Sequence, residues 1–214
     1  MRFIFCFAFF SLFFVPIHAQ NGFQSEVDKI VKRNDSLWDS SKETIVFTGS
    51  SSIRLWKDVQ KRFPEQQILN SGFGGSQAAD LLYHLENLVL RYKPKKVFIY
   101  EGDNDIFSKK KPKEVINTTQ AIIQHIKKEN SNTAIVLIST KPSIARWKLR
   151  GRYKRLNKRF EKLALANTYL SYVNVWDTML SGRKVRGDIF IEDGLHMNDT
   201  GYELWYQKIK KHIN

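Results

Sequence analysis

Short runs of β-branched and aromatic residues alternate along this chain with longer stretches in which apolar residues recur every three or four positions. The runs at 44–49, 67–73, 96–101, 133–140 and 170–176 are short and rich in Val, Ile, Leu, Phe or Tyr, and they predict strands. The three-to-four spacing predicts helices over 24–38, 52–63, 76–92, 112–129, 149–166 and 198–212. Strands that alternate with helices pair in parallel through right-handed crossovers, and helices then cover both faces of the sheet. The expectation is an α/β fold, a three-layer α/β/α sandwich on a five-stranded parallel sheet. In open sheets of this kind ligands bind beyond the carboxyl ends of the strands. The residues that follow each strand are therefore where chemistry is expected.

The first residues change the picture of where the chain works. Arg2 precedes an almost unbroken apolar run from Phe3 to Ile17, and Ile17-His18-Ala19 comes before Gln20. The pattern reads as a secretory signal peptide over 1–19, with an uncleaved anchor as the alternative. Cleavage predicts an exported protein, periplasmic or extracellular, with one domain over 20–214 and no remaining membrane span. Cys6, the one cysteine, leaves with the leader. Disulfides, thiolate catalysis and cysteine-ligated zinc are then excluded together.

Each predicted strand is followed by a polar cluster. Gly49-Ser50-Ser51-Ser52 follows the first, Gly72-Phe73-Gly74-Gly75-Ser76 the second, and Gly102-Asp103-Asn104-Asp105 the third. Lys141-Pro142-Ser143 follows the fourth, and a long loop after the fifth reaches Asp193-Gly194-Leu195-His196. Serine, glycine, asparagine, aspartate and histidine thus gather on one rim, the inventory of a serine hydrolase. Rival motifs fail on the letters. Gln77 stands where a dinucleotide fingerprint needs its last glycine, and Ile53 stands where the G-x-S-x-G elbow needs one. Neither glycine cluster carries a Walker lysine, and Asp103-Asn104-Asp105 lacks the glycine of a calcium loop.

The order Gly49-Ser50-Ser51, Gly75, Gly102-Asp103-Asn104-Asp105, Asp193-Gly194-Leu195-His196 resembles the SGNH hydrolases, also called GDSL esterases and lipases. Residues 70–82 and Lys141-Pro142-Ser143 resemble the subgroup similar to platelet-activating-factor acetylhydrolases and carbohydrate acetylesterases. The resemblance implies a flavodoxin-like sheet and an acyl-ester hydrolase without cofactor or metal. It makes Ser51 the nucleophile, His196 the base, Asp193 the orienting acid, and Ser51, Gly75 and Asn104 the oxyanion donors. The chain departs from the family at Ser50, where aspartate is usual.

The residues support these roles by their chemistry. A serine hydroxyl needs an adjacent base, and of the five histidines only His196 falls on the expected rim. Asp193 precedes it by three, a spacing that in a helical turn puts both side chains on one face. Gly75 offers a main-chain N–H in a backbone shape that a side chain would obstruct. Ser50 and Ser52 are read as turn residue and helix cap, Asp105 as a brace of its loop, and Gly72 and Gly74 as turn residues.

Charge adds a second theme. The formal net charge is +14, and residues 141–162 hold ten Lys or Arg against Glu161 alone. Leu149, Tyr153, Leu156, Phe160 and Leu163 recur at helical steps, so this helix buries one face and exposes a basic one. The basic face is either a solvated surface or a contact for anionic lipid, glycan or another polyanion. Arg146 and Trp147 are expected near the rim as substrate-binding residues for a sugar ring or an anionic group. Two other function classes compete with the esterase: a non-catalytic carbohydrate- or lipid-binding relative on the same fold, and a nucleic-acid binder. The second explains the charge but lacks any recognisable binding module. Acyl group, alcohol, whether small molecule, glycan or lipid, and oligomeric state are left open by the sequence.

Overall fold

The computed structural model describes residues 22–214; the expected leader over 1–19 lies outside the described residues. The chain runs α1 (Gln24–Leu37), β1 (Thr44–Gly49), α2 (Ser51–Arg54), α3 (Val59–Arg62), β2 (Gln67–Gly72), α4 (Ala78–Tyr83) and α5 (Leu85–Leu88). It continues through β3 (Lys96–Tyr100), α6 (Asp103–Phe107), α7 (Pro112–Glu129), β4 (Ala134–Ile138), α8 (Arg150–Leu165) and β5 (Leu170–Val173). A small antiparallel pair, β6 (Leu180–Ser181) and β7 (Lys184–Val185), precedes α9 (Asp199–Ile209).

The five long strands form one all-parallel sheet in the order β2-β1-β3-β4-β5, as the alternation of strands and helices predicts. The period of two along each strand divides the core. Val46, Val97, Ile99, Ile135 and Leu137 point to the side covered by α1, α4, α5, α7 and α8. Ile45, Phe47, Phe98, Tyr100, Val136 and Ile138 point to the side covered by α2, α3 and α9. Phe47 and Phe98, opposite each other on β1 and β3, stack at 4.3 Å at the centre of the second side. Burying one such ring contributes roughly 1.5–3 kcal/mol, so each strand is held mainly by its inward residues.

Two predicted helices are broken in the structure. The stretch 52–63 divides into α2 and α3 because Trp56 turns inward, where it packs on Tyr202 at 5.6 Å and Trp205 at 6.1 Å. At the interruption Asn70 Nδ2 donates to the carbonyls of Ile53 and Trp56, at 2.8 and 3.2 Å. The stretch 76–92 divides at the buried His84, whose ring meets Phe73 and Tyr83 edge-on. In both places an aromatic contact outweighs helical propensity. The short helix α6 stands where the sequence pattern predicts a loop.

The strand order reverses between β1 and β3, since β2 lies on one side of β1 and the rest of the sheet on the other. A crevice opens at such a switch point, beyond the carboxyl ends. Gly49 pairs with both Gly72 and Tyr100, so the clusters after β1, β2 and β3 leave the sheet side by side.

Candidate active site

Burial distinguishes the three serines that follow β1. Ser50, 2% exposed, precedes α2 and uses its N–H on the Tyr100 carbonyl at 3.1 Å. Its side chain makes no cap bond, and Ser52, expected as the cap, is the buried second residue of α2 with its carbonyl on the Tyr202 hydroxyl at 3.0 Å. Ser51 alone is part-exposed, and its Oγ lies 2.9 Å from Nε2 of His196. As the first residue of a helix it has no carbonyl one turn earlier for its own N–H.

The far side of the imidazole meets Asp193, with Nδ1 and Oδ2 2.5 Å apart. A carboxylate only accepts, so Nδ1 carries the proton and the Nε2 lone pair faces Ser51. The same aspartate accepts from the N–H groups of Leu195 and His196 at 2.8 and 2.9 Å through Oδ1. Partial burial works to raise its pKa, but these two N–H groups and the imidazole outweigh it and hold the carboxyl at about 2. The pairing is made by a tight turn rather than by the helical turn that the spacing suggests. Gly194, at φ +61, permits that turn, since few other residues accept a left-handed backbone.

Asn104, in the first turn of α6, donates from Nδ2 to the Ser76 carbonyl at 2.9 Å and accepts at Oδ1 from Arg146 Nη1 at 3.0 Å. One amide hydrogen is thereby used and the other remains. Gly75 immediately precedes Ser76, is exposed and has φ +74, the left-handed shape expected of it. Asp105 braces this region by accepting from the Ala78 N–H at 3.1 Å and from Lys110 at 3.3 Å. Beneath it Glu101 is buried and accepts from Ser76 Oγ at 2.8 Å. Burial, and after it the charge of Asp105, drives the Glu101 pKa well above the ordinary carboxylate range.

Arg146 and Trp147 stand differently from their expected substrate-facing roles. Arg146 gives its guanidinium to Asp103 and Asn104 and covers the Phe107 ring at 4.2 Å. Trp147 stacks on Trp176 at 6.2 Å and packs against the core on the α8 side. Glu101 escapes the sequence reading, and Lys141, almost fully buried beside Asp103, enters it only as part of the Lys141-Pro142-Ser143 cluster and not as an ion partner. Their types signal exposure, and only their place just beyond the buried strands β3 and β4 says otherwise. Among the described residues no three His, Cys, Asp or Glu side chains gather as metal ligands would, and no helix is long and apolar enough to cross a membrane.

Residues 35–204 match the GDSL-like lipase/acylhydrolase family. The fold is similar to a Streptococcus pneumonia structure named for platelet activating factor, at 25% identity and TM-score 0.78, covering 91% of this chain and 95% of that one. A GDSL-like lipase of Bacteroides thetaiotaomicron VPI-5482 superposes with TM-score 0.74 at 20% identity, covering 88% and 97% of the two chains. An N-acylneuraminate cytidylyltransferase of Escherichia coli O18:K1:H7 (strain RS218 / NMEC) is 29% identical over 187 residues, 83% of this chain. The match takes in 41% of that protein, so the chain spans about two fifths of its curated relative's length.

Proposed function

Because this chain belongs to the GDSL-like lipase/acylhydrolase family, whose members hydrolyse carboxylic esters, we propose that Ser51, His196 and Asp193 are its catalytic triad. The hydrogen-bonded series from Ser51 Oγ through the imidazole to Asp193, at 2.9 and 2.5 Å, carries the proposal. It joins groups 145 residues apart in sequence, at the start of α2 directly after β1 and on the loop between β7 and α9. In the reaction Ser51 Oγ attacks the ester carbonyl carbon while its proton passes to His196 Nε2. The tetrahedral oxyanion is met by the N–H groups of Ser51 and Gly75 and by the free amide hydrogen of Asn104. Its collapse breaks the bond to the alcohol, which takes the proton from His196. Water repeats the steps on the acyl-serine, releasing the acid and restoring Ser51. Asp193, its carboxyl held at about 2, is ionised near neutral pH, keeps the neutral imidazole in the competent tautomer and stabilises the imidazolium formed when it takes the proton.

The substrate in this proposal is a short-chain ester, an acetyl ester in the first place, of a small molecule, glycan or lipid. Similarity at 25% identity to the protein named for platelet activating factor supports it, together with the 70–82 and Lys141-Pro142-Ser143 tracts. The leader at 1–19 makes the enzyme an exported one, with a mature N-terminus at Gln20 that terminal sequencing would read. Substrate class is tested with p-nitrophenyl esters of graded chain length, followed by acetylated xylan, acetylated peptidoglycan fragments, lysophospholipid and an O-acetylated N-acylneuraminate. The last is included because the E. coli relative is named for that sugar acid. The expected result is a kcat/KM that is highest for acetyl and falls with chain length. A maximum at long acyl chains would overturn the assignment.

A further inference from the structure

The proposed reaction leaves Glu101, Asp103 and Asp105 unused, and of these Asp103 has the most densely bonded side chain. Asp103, 4% exposed, accepts at Oδ1 from Arg146 Nη1 at 2.7 Å and from the Tyr153 hydroxyl at 2.9 Å. At Oδ2 it accepts from the Tyr100 hydroxyl at 3.1 Å, and Lys141 Nζ stands 3.5 Å away. Burial would raise its pKa, but the two cations outweigh burial and lower it, so the carboxylate is ionised. Lys141 is 1% exposed, and its ammonium is desolvated along with the carboxylate.

Removing these ions from water costs more than ordinary packing would, and apolar residues of equal volume commonly stabilise a core as well or better. What the ions do, and apolar residues could not, is direct further bonds. Lys141 Nζ donates at 2.7 Å to the carbonyl of Leu195, the residue before His196. Arg146 Nη1, besides bonding Asp103, donates at 3.0 Å to Asn104 Oδ1. With its oxygen held there and one hydrogen on Ser76, the Asn104 amide cannot flip, and the second hydrogen has one direction.

We propose that Asp103, Lys141 and Arg146 form a buried clamp that sets the oxyanion donor and the catalytic base in register. Arg146 is the positioning residue for Asn104, and Lys141 is the positioning residue for the His196 loop. Both act through other groups, and neither needs to touch the substrate. A displacement of about 1 Å in such a group can cost on the order of 10²-fold in rate, so a clamp that ties the start of α6 to the loop after β4 and holds the His196 loop has a clear role. The inference rests on the triad and oxyanion assignments above.

A kinetic cycle tests it with Arg146→Met, Asn104→Ala, the double variant, and Lys141→Met alone and combined with Asn104→Ala, all on a soluble acetyl ester. Arg146→Met is expected to lower kcat roughly 10-fold with KM little changed. Once Asn104 is already alanine, it should cost less than about 2-fold, because its route of action is gone. Lys141→Met should lower kcat by the same factor in both backgrounds, since it acts on the base. Should Arg146→Met fail to fold, Arg146→Lys takes its place: it keeps a cation for Asp103 but is too short to hold both partners. Full, multiplicative loss from Arg146 substitution in the Asn104→Ala background would overturn the clamp, as would wild-type kcat in folded Arg146 and Lys141 variants. Ser51→Ala, run alongside, separates the two levels: turnover there would refute the triad itself, whereas an inactive Ser51→Ala with a multiplicative Arg146–Asn104 cycle refutes only the clamp.

Discussion

Three adjacent serines with identical chemistry are given different roles by the direction in which the chain leaves β1. Ser50 and Ser52 are buried against Tyr100 and Tyr202, and Ser51 is turned to His196. The sequence order points to Ser51 through its register with the family, although Ser50 replaces the usual aspartate; the Ser50 side chain is buried and makes no cap bond. Asn104 is the residue whose role is most open to measurement. An oxyanion donor meets the carbonyl oxygen mainly after charge has developed on it. Asn104→Ala is therefore expected to lose roughly 10²-fold or more in kcat, with a much smaller rise in KM. Steady-state kinetics on an acetyl ester check this. A large rise in KM at constant kcat would make Asn104 a substrate-binding residue instead.

At the scale of elements, the loop that carries Asp193 and His196 depends on its turn. A Cβ added at Gly194 would lie 3.1 Å from Ile144 Cβ, on a backbone at φ +61. A non-glycine residue in that conformation costs roughly 1–2 kcal/mol. Gly194→Ala is expected to remain folded with a thermal midpoint a few degrees lower, and to lose kcat because the 2.5 Å contact between Asp193 and the imidazole depends on the turn. Unchanged kcat in that variant would show that the turn does not position the pair. The strands were legible in the sequence as compact β-branched and aromatic runs, and the helices α7 and α8 because their apolar periods are long and uninterrupted. The breaks at Trp56 and His84 were not legible, because each depends on a contact outside its own helix, with Tyr202 and Trp205 far along the chain for one and with Phe73 just beyond β2 for the other. For the same reason the candidate site was readable as separate blocks. That Arg146 bonds Asn104 rather than facing solvent follows only from how the loops after β3 and β4 meet.

For the whole molecule, stability and chemistry are linked through a buried acid. Glu101 in the folded chain holds its proton to a pH well above that of a free carboxyl, because of burial first and neighbouring Asp105 second. Unfolding above about pH 4.5 lets Glu101 release that proton. The folded state therefore binds more protons than the unfolded one, and stability must fall as pH rises until the folded pKa is reached. One proton corresponds to ~1.4 kcal/mol per pH unit. Glu101→Gln should remove this slope, so its urea midpoints between about pH 5 and 8 should decline less than those of the wild type; parallel profiles would contradict it. The basic face of α8, with Lys154, Arg155, Lys158 and Arg159 exposed, adds a positive field on one side of the molecule. The central claim remains that one serine of this chain is a nucleophile activated by His196. Treating the intact protein with a fluorophosphonate and mapping the adduct by peptide mass spectrometry tests it most directly. A single stoichiometric adduct on Ser51, absent from Ser51→Ala together with all ester turnover, is the predicted result; an adduct on Ser50, or turnover that survives in Ser51→Ala, would contradict it.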